Sequence, residues 1–293
     1  MKDYQIFAGT TADYNLSVMS REDGEPTVKL IPMEVEIGGK NYMYGPEGNL
    51  TPEEFYKQQE AGNYATTAQI NQRDYFDYFE PVLKEGTDIL YLCFSSGLSG
   101  TYQAARLSVD ELQEKYPERK IICIDTLCAS IGEGLLICEA AQKKTEGMAI
   151  DDLANWVTEN RSKINHWFVV DTLDHLRHGG RISATSAVLG GALNIKPLIH
   201  VDLEGKLTVM AKPRGQKKAV AALLEKMQNG WTPDFSTNVV IGHGDCLDRA
   251  EDLRATILEQ FPKAQISIAD IGPVIGAHTG PGTLMLAFWG NLR

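Results

Sequence analysis

Asp88-Ile89-Leu90-Tyr91-Leu92-Cys93-Phe94-Ser95-Ser96-Gly97-Leu98-Ser99-Gly100-Thr101-Tyr102-Gln103 passes from an apolar strand through a small-residue loop into a helix. The same order follows at once: a helix over 101–115, a strand over 120–125, a loop at Thr126-Leu127-Cys128-Ala129-Ser130 and a helix over 131–143. Strand–loop–helix units in succession predict a parallel, doubly wound sheet. Upstream, residues 4–8 read as an opening strand and residues 27–37 as a β-rich stretch ending at the Gly38-Gly39 turn. Thr51 ahead of Pro52, Glu53 and Glu54 predicts the start of a helix over 52–61. Tyr75, Phe76, Tyr78, Phe79, Val82 and Leu83 recur at spacings of three and four, the pattern of an amphipathic helix over 72–84.

Downstream the rhythm changes. A helix over 151–163 leads to a domain boundary placed at residue 162, dividing the chain into 1–162 and 163–293. Beyond it come a strand over 167–171, a short helix, the Gly179-Gly180 break and a small-residue helix from Ser183 through Ala192. Strands over 199–202 and 207–210 flank Glu204-Gly205, a hairpin signal. A helix over 215–229, a strand over 238–243, a helix over 247–260 and strands over 265–269 and 284–288 complete the set. The reading is an α/β protein of two domains: a doubly wound, mainly parallel N-terminal sheet, then an α/β domain with a mixed sheet.

Composition narrows the function. The chain has 293 residues, of which 43% are hydrophobic, enough for sizeable cores. A net charge of −11 with no long basic run argues against nucleic acid, which demands clustered Lys and Arg. Met1-Lys2-Asp3-Tyr4 has no apolar signal core and no run approaches ~18 apolar residues, so a cytoplasmic protein without stable membrane insertion is expected. The five cysteines contain no C-x-x-C pair and the histidines lack zinc spacing, so neither a metal nor a cofactor is expected.

Candidate chemistry collects in loops. Ser95–Thr101 and Asp125–Ser130 follow strand ends and open helices, whose first N–H groups attract anions. Ser99 is placed to cap its helix or to offer its hydroxyl to a bound anion. Thr66-Thr67-Ala68-Gln69 reads as a bend between helices. Arg181, after Gly179-Gly180, is placed to grip a carboxylate or phosphate, or to pair with one of 39 acidic residues. Ile271-Gly272-Pro273-Val274-Ile275-Gly276-Ala277-His278-Thr279-Gly280-Pro281-Gly282 reads as a stiff bend presenting His278 and Thr279 at the mouth of an apolar site. Lys212, Arg214, Lys217 and Lys218 read as a solvated helix start, or as a docking surface for a protein partner. No G-x-S-x-G elbow, P-loop or G-x-G-x-x-G fingerprint is present.

Taken in order, these segments resemble the DegV family of bacterial fatty-acid-binding proteins over nearly the whole chain. The resemblance is carried by Leu30-Ile31-Pro32-Met33 with Gly38-Gly39-Lys40-Asn41-Tyr42, Thr67-Ala68-Gln69, and Ser95 through Gln103. Asp125-Thr126 with Ser130-Ile131-Gly132-Glu133-Gly134, Leu176-Arg177-His178-Gly179-Gly180-Arg181-Ile182 and Gly272 through Gly282 extend it. It implies one long-chain fatty acid held between two α/β domains, its carboxylate met by Thr67, Ser99 and His278, with Arg181, Thr279 and Ser96 in support. It further implies an acyl-carrying role in phospholipid synthesis, in which a separate ATP-dependent fatty acid kinase catalytic subunit phosphorylates the bound acid. The chain departs from the family pattern in two places: Thr-Ser-Gln-Pro becomes Thr67-Ala68-Gln69-Ile70, and the Asp-Ser of the first loop becomes Gly9-Thr10. Two other functions stay open at this point: a stand-alone acyl hydrolase or transferase using Ser99 and His278, and a lipid-responsive regulatory protein.

Overall fold

The computed structural model describes residues 3–14, 26–182 and 194–293. The helix expected from Ser183 lies outside these residues. In chain order the first half comprises β1 (Tyr4–Gly9), β2 (Val28–Ile31), β3 (Met33–Ile37), β4 (Lys40–Tyr44), α1 (Pro52–Glu60), β5 (Ala65–Thr67) and α2 (Gln72–Lys84). It continues through β6 (Asp88–Cys93), α3 (Thr101–Lys115), β7 (Ile121–Asp125), α4 (Ser130–Thr145) and α5 (Ile150–Asn160). A 3-10 turn, Arg161–Lys163, contains Ser162 and leads into the second half. There follow β8 (Ile164–Val169), α6 (Asp174–His178), β9 (Leu198–Val201), β10 (Leu207–Ala211), α7 (Gln216–Gly230) and β11 (Asn238–His243). The chain closes with α8 (Leu247–Gln260), β12 (Gln265–Asp270), α9 (Pro273–Thr279) and β13 (Leu284–Trp289).

Two sheets carry the α/β architecture. The first is wholly parallel, in the order β2-β1-β6-β7, with Ile6 registered between Val28 and Leu90. The second runs β10-β9-β8-β13-β11-β12 and is antiparallel except for the β11–β12 pair. A register shift between Val209 and Ala211 bulges its edge strand β10. In the first sheet the connections leave β1 and β6 in opposite directions, so the loops after these two neighbours flank a topological switch point, where open α/β sheets receive ligands.

Two local readings change. The β-rich stretch over 27–37 is two strands in different sheets, because Pro32, which has no N–H, interrupts the ladder between β2 and β3. Thr66 and Thr67 lie not in a bend but on β5, paired antiparallel to β3 in a small three-stranded sheet with β4. The glycine-rich segment expected as a bend forms α9. Pro273 occupies its first turn, where a missing N–H costs nothing, and Gly280 at φ +78 ends it.

α4 lies between the two sheets. Leu135, Leu136, Ile137 and Ala140 join one buried cluster with Ile6, Leu90 and Leu92 of the first sheet and Phe168, Met285 and Ala287 of the second. Loops stitch the halves together. Ser95 Oγ donates to the Gly205 carbonyl at the hairpin tip (2.8 Å), and Gly97 faces the same turn so closely that a Cβ there would lie 2.7 Å from the Glu204 and Gly205 carbonyl oxygens. Asp13, after β1, accepts from Gly272 N–H (2.9 Å) ahead of α9 and from the Ser130 hydroxyl (2.7 Å) at the start of α4.

Burial pushes the Asp13 carboxyl up to about 8, against the two hydrogen bonds that favour its ionised form. The folded chain therefore holds this proton more tightly than the unfolded one, and the associated stability is lost as pH rises from about 4 to about 8. Asp13→Asn should flatten that part of the stability–pH profile. Asp13→Ala, which strands two donors, should cost about 2–4 kcal/mol in urea unfolding at neutral pH.

Candidate functional site

Between the sheets lies a cavity of about 730 Å³, counting the space at its open mouth, with a wall built chiefly of apolar side chains such as Met33, Phe94, Leu98, Ile131, Phe168 and Val274. Thr67, Ser99, Arg181, His278 and Thr279 also line it. Contacts link these polar residues in a chain. Thr67, the last residue of β5, places Oγ1 3.0 Å from Nε2 of His278 on the last turn of α9. The other face of that imidazole abuts Gly179, where a Cβ would lie 2.1 Å from Nδ1, so only glycine leaves room for the ring. The Gly179 carbonyl in turn accepts from Arg181 Nη1 (2.5 Å), and Arg181 Nε donates to the Leu98 carbonyl (3.2 Å), next to Ser99.

Burial sets the electrostatics here. It lowers the His278 pKa to about 4, helped by Arg181, His175 and His178, so the ring is neutral at pH 7 and its Nδ1 is buried with no hydrogen-bond partner. Arg181 is half-buried, and burial lowers its pKa too. Among the described residues no carboxylate pairs with it. Among the described residues, then, Arg181 is bonded to two carbonyls rather than to an acidic side chain, and it lines the cavity with hydrogen-bonding capacity to spare.

Ser99 takes the capping role and also lines the cavity. Gly100 is the residue flanking α3 and offers no side-chain cap, while Ser99 Oγ takes the Thr101 N–H (3.3 Å) and lies 2.9 Å from Thr101 Oγ1. It thereby caps α3 from one residue further out and still borders the cavity. Thr279 donates to the Ile275 carbonyl (3.3 Å). Ser96 stands apart: it is not among the cavity-lining residues, and its N–H is tied to Asp125 Oδ1 (3.1 Å), because the turn around it faces the 202–206 hairpin. Lys212, Arg214, Lys217 and Lys218 are exposed and away from the cavity.

Two polar cavity residues were not singled out in the sequence reading, Thr11 and His166, whereas Ser130 belongs to the candidate loop 125–130. Thr11 was legible in principle, since it follows β1 at the switch point. His166 sits within a strand whose apolar neighbours mask it. Beside α9, Gln59 reaches the Gly276 carbonyl (3.2 Å) and His175 Nδ1 (3.4 Å), and Tyr64 stacks on His178 (4.6 Å between rings). Among the described residues no three His, Cys, Asp or Glu side chains are grouped to hold a metal, and no helix is long and apolar enough to cross a membrane. Hydroxyls such as those of Thr67 and Ser99, a neutral imidazole and a guanidinium beside an apolar cavity suit a molecule with a long apolar body and one anionic end.

This pairing of a parallel and a mixed sheet around an apolar cavity defines a class of α/β proteins with a ligand space between sheets. A family model described as an uncharacterised protein, DegV family, matches residues 4–290, and the chain belongs to that family. A DegV domain-containing protein of Clostridium perfringens is 39% identical over 293 residues, covering 100% of this chain and 99% of its own. The crystal structure of a fatty acid binding DegV family protein from Streptococcus agalactiae superposes with a TM-score of 0.84 at 29% identity, covering 99% of this chain and 100% of that one. The Streptococcus pneumoniae Fatty Acid Kinase (Fak) B3 protein, loaded with linoleic acid, shares the fold with a TM-score of 0.86 at 22% identity, over 99% of this chain and 100% of its own.

A proton NMR titration should find the His278 ring uncharged down to about pH 4. Gly179→Ala should push the ring out of its niche, break the bond to Thr67 and move that midpoint up toward the ordinary histidine value of about 6.5. An unmoved midpoint would mean that Gly179 does not fix the ring.

Proposed function

We propose that this chain carries one long-chain fatty acid in the cavity and presents its carboxylate to a separate, ATP-dependent kinase subunit that converts it to an acyl phosphate. The observation that supports this best is the chain of contacts from Thr67 through His278, Gly179 and Arg181 to Leu98 and Ser99 at the cavity wall. In this reading Thr67, Ser99 and His278 hold the carboxylate, Arg181 supplies the positive charge and Thr279 buttresses α9. Residues 1–162 and 163–293 are the two lobes, and the protein works in the cytoplasm. The fatty acid binding stated for the Streptococcus agalactiae relative supports the ligand, and the fold shared with the pneumococcal protein supports the kinase partner.

Magnitudes favour a carrier. Burying about 16 carbons at ~0.8 kcal/mol per CH₂ gives roughly 13 kcal/mol before ordering and association costs. The tail therefore dominates affinity, and the head contacts prevent a carboxylate from being buried unpaired and fix its orientation. A stand-alone hydrolase would need His278 to activate Ser99. Instead His278 Nε2 bonds Thr67, and the Ser99 hydroxyl bonds Thr101.

Native mass spectrometry of gently purified protein should show a co-purified acyl chain; reproducibly empty protein that takes up no added C14–C18 acid would sink the reading. With a kinase subunit and ATP supplied, Arg181→Ala and His278→Ala should lower acyl phosphate formation about tenfold or more while the acid is still retained.

A further inference from the structure

Beside the cavity lies an open recess of about 720 Å³, counting adjoining solvent, with Gly97, Leu98, Gly180, Arg181, Lys206 and Leu207 in its wall. Leu98, Arg181 and Leu207 line the cavity too, so the two spaces adjoin along these side chains. Their chemistry differs. The cavity wall is chiefly apolar, whereas the recess brings a second cation, Lys206, to the border that Arg181 occupies, with no acidic residue among its described lining residues.

Both cations have hydrogen-bonding capacity to spare. Arg181 commits Nε and Nη1 to the Leu98 and Gly179 carbonyls, and its Nη2 makes no hydrogen bond among the described residues. Lys206 is exposed, just ahead of β10. The carboxylate of Asp202, in the same hairpin, is spent on the turn: it accepts from Glu204 N–H (3.1 Å), Lys206 N–H (2.9 Å) and the Thr208 hydroxyl (3.0 Å). Among the described residues no carboxylate pairs with the Lys206 ammonium. Ser95 holds the hairpin at the Gly205 carbonyl, which fixes the turn bearing Lys206 to the loop bearing Leu98 and Ser99. The backbone adds little: the N–H groups of Gly97, Leu98, Gly180, Arg181 and Lys206 all bond within their own turns. An anion in the recess meets side-chain cations.

Phosphorylation changes the head group in size and charge. A carboxylate oxygen bonds to the γ-phosphorus as the bond from that phosphorus to ADP breaks, its electron pair leaving with ADP. The new end is larger by one phosphorus and three oxygens and carries about two negative charges near neutral pH. Such a group needs room beyond the carboxylate position and a second cation near Arg181.

We propose that the recess is the subsite for the phosphoryl group of the acyl phosphate, held between Arg181 and Lys206 while the acyl chain stays in the cavity. This rests on the carrier reading above and gives its product a place of its own. Lys206 lines the recess and not the cavity, so it favours the product over the free acid rather than strengthening both.

The test is competition for delipidated protein between palmitate and (2-oxoheptadecyl)phosphonate, the palmitoyl phosphate analogue whose bridging oxygen is a methylene group. Equal amounts are offered in mildly alkaline buffer of low ionic strength, and the bound ratio is read by native mass spectrometry. Lys206→Ala should lower the analogue's share relative to palmitate by about fivefold and Lys206→Glu by more, while Lys206→Arg keeps the wild-type ratio. Palmitate offered alone should be taken up equally by all four proteins, which also reports that each variant folds. If wild-type protein takes up no analogue, or the ratio is unchanged in the alanine and glutamate variants, the proposal is overturned while palmitate uptake leaves the carrier reading intact. Protein that takes up neither lipid overturns the carrier reading itself.

Discussion

The structure depends on one helix whose first two turns have no solvent face. From Ser130 to Ile137 every residue of α4 is buried, because the helix separates two sheets that would otherwise meet directly. A helix so placed has no polar stripe, and small residues must let its neighbours approach. Gly132 admits the His166 ring from the second sheet, and Gly134 admits Tyr14 from the first half, where a Cβ would fall 2.4 Å from the Tyr14 Cβ. The space between the sheets is filled along α4 and opens at its N-terminus. There Ala129, Ser130 and Ile131 form one wall of the cavity and α9 forms another.

α9 itself is held from the first half of the chain. Tyr56 donates to the Ile271 carbonyl (2.8 Å) and Gln59 to that of Gly276, while Asp13 meets the Gly272 N–H. Phe55 and Tyr56 press on Gly276 so closely that any side chain there would overlap them. The imidazole of His278 is thus carried on a helix from one half and clamped by elements of both. A neutral ring in such a setting suits an anion that arrives with Arg181 alongside, since an imidazolium next to a guanidinium in a dry cavity would be costly before the anion was present.

Much of this was readable from residue order. Strand–loop–helix repetition disclosed the parallel sheet, and α2, α3, β11 and α8 fall on their expected residues. The local signals failed where tertiary pairing decides. β5 has three residues and no strand pattern of its own; pairing with β3 makes it a strand and brings Thr67 to His278. The glycines of the 271–282 segment argue against a helix by propensity, yet close packing from Phe55 and Tyr56 requires one of them inside it. Of the site, the hydroxyls and the histidine were visible because they stand in loop-like sequence. Thr11 and His166 were not, since a threonine after a strand and a histidine within one are ordinary in sequence and unusual only once the space around them is known.

The bulge at the rim of the second sheet has a consequence for how molecules of this chain meet. β10 offers an outer edge whose Met210 is half exposed, the kind of border on which a stray strand could nucleate a growing ribbon. The extra residue between Val209 and Ala211 throws its amide spacing out of step, and Lys212 and Pro213 follow directly, one charged and the other unable to donate. The chain thus carries its own stop signal against self-templating at that border.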